Sequence, residues 1–273
     1  MTINCKGTLI DLSSPKVMGI LNITPDSFYD GGKYKNESEI VKQTQKMLSE
    51  GATFIDVGAY SSRPGAKHIS EDQELQRIVP VIELLVKEFP EIIISVDTFR
   101  SKVAEETITI GASIINDISG GNMDVNMFET IADLQVPYII MHMLGTPQNM
   151  QKNPVYNNVT REIISFFAEK IFKLHQLKVN DILIDVGFGF GKTIEHNFEL
   201  LKNLSLFKSL DAPILAGISR KSMLYKTLNT SAKEALNATT SANTIALLNG
   251  ASILRVHDVK EAVETIKIVE QIL

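Results

Sequence analysis

The 273-residue chain is 44% hydrophobic and 22% charged with a net charge of −5, the balance of a protein that buries a sizeable core. No Lys/Arg-rich block interrupts it, which argues against sequence-independent binding to nucleic acid or to a membrane surface. Its one cysteine, Cys5, excludes an intramolecular disulfide and a thiolate-rich metal site, and no apolar stretch approaches the roughly 18 residues that a membrane span requires.

The N-terminal residues lack a charged segment followed by an apolar one, so no signal peptide is expected and the reducing cytoplasm is the expected compartment. Beyond them, eight short runs rich in β-branched residues follow in order. They are Val17–Thr24, Phe54–Ala59, Ile92–Thr98, Ser113–Ser119, Pro137–Met143, Ile182–Phe188, Pro213–Ser219 and Ile253–Asp258. Their continuous apolar character suits strands covered on both faces, as in a parallel sheet.

Segments of helical period lie between the runs. The clearest carries Leu75, Ile78, Val79, Ile82, Leu85 and Val86 on one stripe, preceded by Ser70 with Gln73 three residues on, a capping box. Asn36 with Glu39, Ser231 with Glu234 and Asp258 with Glu261 repeat that signature. A fifth helix is read over roughly 157–177 after a polar loop, Gly145–Pro154, and a last helix buries Ala262, Val263, Ile266 and Val269. Gly51, Gly111 and Gly250 stand where helices should stop.

Strand and helix alternating eight times over residues 1–273, with no linker, predicts one closed (β/α)₈ barrel domain, an α/β fold. An open doubly wound sheet would carry a glycine-rich turn after its first strand, and here the chain runs into Pro25-Asp-Ser-Phe28. In such a barrel, chemistry sits at the C-terminal ends of the strands. Polar side chains concentrate there: Asn22, Ser61-Ser-Arg63, Asp97, Asn116 with Asp117, His142, Asp185, Ser219-Arg-Lys-Ser222, and Arg255 with His257. A carboxylate within an apolar strand, such as Asp185, is costly to bury unless something pairs with it.

These residues lie in motifs that resemble one family, the dihydropteroate synthases. The motifs are Gly19-Ile-Leu-Asn-Ile-Thr-Pro-Asp-Ser-Phe-Tyr-Asp-Gly-Gly32, Ser62-Arg-Pro-Gly-Ala66, Ser95-Val-Asp-Thr98, Ile115-Asn-Asp-Ile118, Met141-His-Met143, Gly187-Phe-Gly-Phe-Gly-Lys192, Ser219-Arg-Lys-Ser222 and Arg255-Val-His257. The resemblance implies a transferase that displaces pyrophosphate from 6-hydroxymethyl-7,8-dihydropterin pyrophosphate with p-aminobenzoate, giving 7,8-dihydropteroate. It assigns pterin binding to Asp97, Asn116, Asp185 and Lys221, against apolar Ile20, Ile118, Met141, Leu215 and Gly217. Pyrophosphate falls to Asn22, Arg63, Arg255 and His257, with Mg²⁺ held through Asn22 and Asp30. For p-aminobenzoate it implies Phe28, Ser62, Pro64, Phe190, Lys221 and Ser222. Asp97, Lys221 and Arg255 are the expected catalytic residues, and a cytoplasmic homodimer is carried over with the family.

Two positions depart from the family pattern. Tyr60 in Ala59-Tyr-Ser-Ser-Arg-Pro-Gly65 stands where an acidic side chain is common, and Tyr29 where serine is frequent. Other readings of the same barrel are a methyltetrahydrofolate-binding corrinoid methyltransferase domain, a Schiff-base aldolase using Lys221, and a folate-binding protein without turnover. The anion-binding set Arg63, Lys221-Ser222 and Arg255-Val-His257 argues against the first. The place of Lys221 beyond its strand argues against the second, and retention of Asn22, Asp97, Lys221 and Arg255 against the third.

Overall fold

The computed structural model describes residues 1–23, 33–61, 68–150 and 153–272. It opens with a hairpin, β1 (Thr2–Cys5) and β2 (Thr8–Asp11), whose antiparallel register pairs Cys5 with Thr8 around a Lys6-Gly7 turn. Both turn residues have positive φ, 51° and 90°, the requirement of a two-residue hairpin turn that matches strand twist. The hairpin precedes the first expected strand, and the Lys6-Gly7 pair is its signal in the sequence.

The barrel follows: β3 (Lys16–Asn22), β4 (Phe54–Gly58), β5 (Ile94–Asp97), β6 (Ile114–Asp117), β7 (Tyr138–Met141), β8 (Ile182–Asp185), β9 (Ile214–Ala216) and β10 (Ala251–Val256). Every neighbouring pair is parallel, and β10 bonds to both β9 and β3, so the sheet closes on itself. All eight expected runs are strands, and closure excludes the open sheet.

The helices on the outside are α1 (Lys33–Ser49), α2 (Glu71–Glu88), α3 (Ser101–Ile110), α4 (Met127–Leu134), α5 (Val159–Gln176), α6 (Ile194–Lys202), α7 (Ser222–Thr227), α8 (Leu236–Leu248) and α9 (Val259–Val269). Ser70 caps α2 with the expected capping box. The other boxes fare differently. Asn36 lies inside α1, which starts at Lys33, and the Ser231–Glu234 box caps a single 3₁₀ turn. Asp258 makes no cap bond, because its carboxylate receives Arg220 through two bonds of 2.8 Å. Gly51, Gly111 and Gly250 follow the ends of α1, α3 and α8 as expected. Among the described residues no helix is long and apolar enough to cross a membrane.

Strand side chains alternate between two faces, and in a barrel one face is the interior. Val17, Ile55, Val57, Ile115, Ile140, Ile184, Ala216 and Leu254 point outward and pack against the helices. Their neighbours Met18, Phe54, Ile114, Ile139, Leu183, Leu215 and Ile253 fill the interior and pack with Ile3, Cys5 and Leu12 of the hairpin segment. The hairpin is therefore a plug on the N-terminal end of the barrel. Burying Ile3 and Leu12 stabilises it by about 1.5–3 kcal/mol each. Burial also pushes the Cys5 thiol up to about 12, consistent with a structural side chain rather than a nucleophile.

Candidate active site

Two residues above that apolar floor, most of the same interior positions carry polar side chains, and Ile20, Met141 and Gly217 complete the level. The step from Met18 reaches Ile20, from Phe54 Asp56, from Ile114 Asn116, from Ile139 Met141, from Leu183 Asp185, from Leu215 Gly217 and from Ile253 Arg255, while β5 contributes Ser95 and Asp97. One layer thus gathers residues from all eight strands.

Asp56 is its hub. The fully buried carboxylate accepts from Ser95 Oγ at 2.6 Å, from Asn116 Nδ2 at 3.2 and 3.3 Å, and from Arg255 Nε at 2.6 Å. Arg255 also reaches Asp97, Nη2 to Oδ2 at 2.9 Å. The guanidinium therefore spans two carboxylates and keeps further N–H groups for the mouth. Burial pushes the Asp97 carboxyl up to about 7, with Arg255 opposing the shift and Asp56 adding to it. The two carboxylates in turn hold Arg255 protonated against its own burial.

Across the barrel, Asp185 accepts the Gly187 N–H at 2.8 Å, and burial raises its pKa against the pull of Lys221. Lys221 is the N-cap residue of α7 and leans back over the mouth, donating to the Phe188 carbonyl with its ammonium 4.7 Å from the centre of the Phe190 ring. Burial lowers its pKa to about 8, and Asp185 limits the fall. Gly217 leaves the space between these partners. A Cβ there would lie 3.4 Å from Asp185 Oδ2 and 3.8 Å from Lys221 Nζ, above Leu215 at 4.0 Å.

The loop after β8 must run close to the end of β7. Gly187 has φ of 71°, and a Cβ on it would stand 2.0 Å from the His142 carbonyl oxygen. Lys192, buried, ties the same turn by donating to the carbonyls of Phe190 at 2.9 Å and His142 at 3.2 Å. That bonding carries Phe190 to the rim. From Met141 of this layer an apolar wall continues through Ile118, Met143, Met150, Tyr60, Ile69 and Phe99, with Phe190 packed on it.

On the facing side, a Cβ on Gly58 would meet Asn22 Oδ1 at 3.5 Å and Asp97 Oδ2 at 3.7 Å, so two hard oxygen donors border one point. His257 stands at the exposed end of β10, with Nδ1 3.0 Å from Ser219 Oγ. Ser222, half-buried, opens α7.

The layer and its rim bring together Asn22, Asp97, Asn116, Ile118, Met141, Asp185, Phe190, Gly217, Lys221, Ser222, Arg255 and His257. Phe28, Asp30, Ser62, Arg63 and Pro64 lie outside the described residues, as does Tyr29. Leu215 packs into the interior apolar cluster, with its Cδ2 4.0 Å from the Gly217 point that Asp185 and Lys221 also border. Two strand-end groups face away from the mouth. Asp117, next to inward Asn116, turns outward and accepts from the Tyr138 hydroxyl at 2.7 Å and the Gly121 N–H at 2.8 Å. His142 is buried beside Lys192, Nδ1 to Nζ 3.1 Å, and burial lowers its pKa to about 3. Both are structural.

Asp56 is not among the strand-end residues, because it lies inside Phe54-Ile-Asp-Val-Gly58; like Asp185 it is a carboxylate within an apolar strand, and that is its signal in the sequence. Tyr60 also gains a place. Its hydroxyl accepts from Gln148 Nε2 at 2.9 Å and lies 3.3 Å from His68 Nδ1, joining the loops after β4 and β7.

The family described as pterin binding enzyme matches residues 18–257. Dihydropteroate synthase of Escherichia coli (strain K12) is 44% identical over 275 residues, covering 100% of this chain and 97% of the relative. That of Haemophilus influenzae is 40% identical, covering 98% of each. The crystal structure of Yersinia pestis dihydropteroate synthase with a sulfonamide drug superposes with a TM-score of 0.93 at 43% identity, covering 100% of this chain and 99% of that one. The Xanthomonas albilineans enzyme in complex with 7,8-dihydropteroate gives 0.89 at 33% identity, covering 100% and 98%.

Proposed function

Because this chain belongs to the dihydropteroate synthase family of pterin-binding enzymes, we propose that the polar layer holds a pterin by its aminopyrimidinone edge and that the rim holds its phosphate tail. The activity is that of a dihydropteroate synthase: pyrophosphate leaves 6-hydroxymethyl-7,8-dihydropterin pyrophosphate and p-aminobenzoate takes its place. The corrinoid methyltransferase alternative is not favoured, since relatives matched over the full chain carry the synthase name. The observation that carries the assignment of roles is the one interior layer of the barrel that holds Asp97, Asn116, Asp185 and Arg255.

Asp185 accepts the parallel 2-amino and N3–H donors of the pterin, a charge-assisted and geometrically selective pair. Lys221, next to it, donates to the ring acceptors on that side, while Ile118, Met141 and Gly217 line the faces. Asn116 and Asp97 read the remaining ring atoms. Arg255, His257 and Arg63 bind the phosphates.

Magnesium fits the hard oxygen at Asn22, which borders the same point as Asp97 Oδ2; Asp30 is its second proposed ligand. When bound, the ion offsets negative charge on the departing pyrophosphate. The C–O bond of the pterin methylene breaks first, its electron pair leaving with the phosphate oxygen. Asp97 offsets the positive charge left on the conjugated ring. The arylamine lone pair then forms the new C–N bond and the amine proton passes to water, so no strong general base is needed. Phe190, Phe28, Ser62 and Pro64 enclose the p-aminobenzoate ring, and Ser222 with Lys221 meets its carboxylate. We carry over one barrel domain, a homodimer and a cytoplasmic site with this reading.

The direct test supplies purified protein with Mg²⁺, the pterin pyrophosphate and p-aminobenzoate. Dihydropteroate and pyrophosphate are expected in equal amounts. If neither forms, the reading is wrong. Chelation by EDTA is expected to slow turnover about a hundredfold, with full recovery on adding Mg²⁺.

A pH dependence follows from Lys221. Its ammonium is lost as pH rises through about 8, so pterin affinity is expected to hold steady below that value and to fall above it. Calorimetric titration between pH 7 and 9.5 reads this directly. Lys221→Gln should bind weakly with no inflection near 8, and an inflection persisting in that variant would assign it elsewhere. The linked stability runs oppositely. Because the folded pKa lies below the unfolded one, the unfolded chain holds more protons between about 8 and 10.5, and this group's contribution rises with pH across that window.

A further inference from the structure

We propose that Asp56 is a positioning residue that fixes which way round the Asn116 amide faces the pterin, and thereby sets selectivity for a ligand edge with a donor beside an acceptor. The inference rests on the pterin reading above and adds a determinant of which pterin oxidation state the site prefers.

A carboxylate accepts hydrogen bonds and an amide side chain has one end of each kind. Asp56 is already filled by donors on every side: Ser95 Oγ at 2.6 Å, Arg255 Nε at 2.6 Å and Asn116 Nδ2 at 3.2 and 3.3 Å. If the Asn116 amide turned over, its Oδ1 would face Asp56 oxygens in the buried interior, two acceptors with no proton between them. The orientation is thus set by chemistry. Nδ2 is turned to Asp56, which leaves Oδ1 and the second N–H for the cavity.

Strand order then says which ring atoms these meet. With the 2-amino and N3–H groups on Asp185 of β8, one direction around the dihydropterin leads to the acceptors O4 and N5, and the other to N1, an acceptor, and N8–H, a donor. Lys221 has only donors and lies beyond β9. Asn116 lies on β6, on the other side of β8. Lys221 therefore takes the O4/N5 side, and Asn116 takes N1 and N8–H with its free N–H and its Oδ1, with Asp97, its register partner on β5, as a second acceptor on that side. A fully oxidised pterin has an unprotonated N8, which would oppose Oδ1.

The test compares 6-hydroxymethyl-7,8-dihydropterin with oxidised 6-hydroxymethylpterin, neither of which carries phosphate for Arg255 to bind. In Asp56→Asn, residue 56 presents an N–H that the flipped Asn116 Oδ1 can accept, turning the Asn116 NH₂ toward N8. Dihydropterin binding is expected to weaken about tenfold or more and oxidised pterin less, so that the ratio of dissociation constants moves at least about fivefold toward the oxidised ring. In an Asn116→Ala background the same substitution should leave that ratio unchanged, and the KM for p-aminobenzoate should stay within about twofold of wild type.

An unchanged ratio in Asp56→Asn, or an equal shift in the Asn116→Ala background, overturns the proposal and leaves Asp56 as a partner of Arg255 alone. If Asp56→Asn does not fold, Ser95→Ala decides. It loosens Asp56 without altering charge, and the ratio must move in the same direction, by about twofold, for the proposal to stand. Wild-type protein that binds neither pterin would instead overturn the underlying functional reading.

Discussion

Replacing Asp185 by asparagine is expected to lower kcat/KM for the pterin pyrophosphate about a thousandfold, near 4 kcal/mol, while the melting temperature stays within a few degrees of wild type. The two expectations come from different neighbours of one side chain. Asparagine keeps an oxygen for the Gly187 N–H, which Asp185 accepts at 2.8 Å, so the turn after β8 is preserved. It also removes a charge that burial opposes, as the raised pKa of Asp185 records. Toward the ligand the exchange is unfavourable twice. One of two acceptors becomes an NH₂ group directed at a pterin donor, and Lys221 loses the counter-charge that moderates its own burial. Steady-state kinetics with each substrate varied, beside a thermal melt, separates these effects. A comparable loss accompanied by a fall of ten degrees or more would mean that Asp185 is chiefly structural.

The contrast between Asp185 and Asp56 shows what could be read from the residues and what could not. Period and composition located every barrel strand, because strands covered on both faces must be apolar along their whole length. The same fact makes a carboxylate in such a run conspicuous, and both aspartates qualify. What the linear order cannot give is the direction of a side chain. Asn116 and Asp117 are consecutive, yet one enters the cavity and the other bonds Tyr138 behind the sheet. His142 counts among the polar strand-end residues in sequence and is a buried partner of Lys192 in space. Asp258 followed by Glu261 looks like a helix cap, but a side chain from the loop after β9, Arg220, takes its carboxylate. In each case a contact distant in sequence overrides a sound local signal. The hairpin plug was invisible for a related reason. Ile3, Cys5 and Leu12 form no long apolar run, and their burial is explained only by the open end of a barrel that residues 16–256 create.

Arg255→Met is expected to cost about 3–5 kcal/mol of stability at neutral pH in addition to abolishing phosphate binding, and the cost should shrink as the solution is acidified. Methionine fills similar volume, so packing is not the main loss. The guanidinium bonds Asp56 at 2.6 Å and Asp97 at 2.9 Å, and Asp56 is fully buried. Without the cation, Asp56 keeps, among the described residues, the neutral donors Ser95 and Asn116, and a second carboxylate, Asp97, stands on the neighbouring strand. Protonation is the available relief. Asp97 already has its carboxyl pushed up to about 7 by burial with Arg255 present, and removing Arg255 raises it further. A carboxyl whose folded pKa lies above its unfolded value binds more protons in the folded state. Its contribution is therefore full below the unfolded pKa near 3.8 and is lost as pH rises through the folded pKa. Denaturant unfolding of wild type and variant at pH 5.5 and pH 8 measures the effect. The gap between them should be at least about 1 kcal/mol smaller at pH 5.5. A gap that is independent of pH would show that the two carboxylates do not depend on Arg255 for their charge, and that the guanidinium stabilises the layer by packing alone.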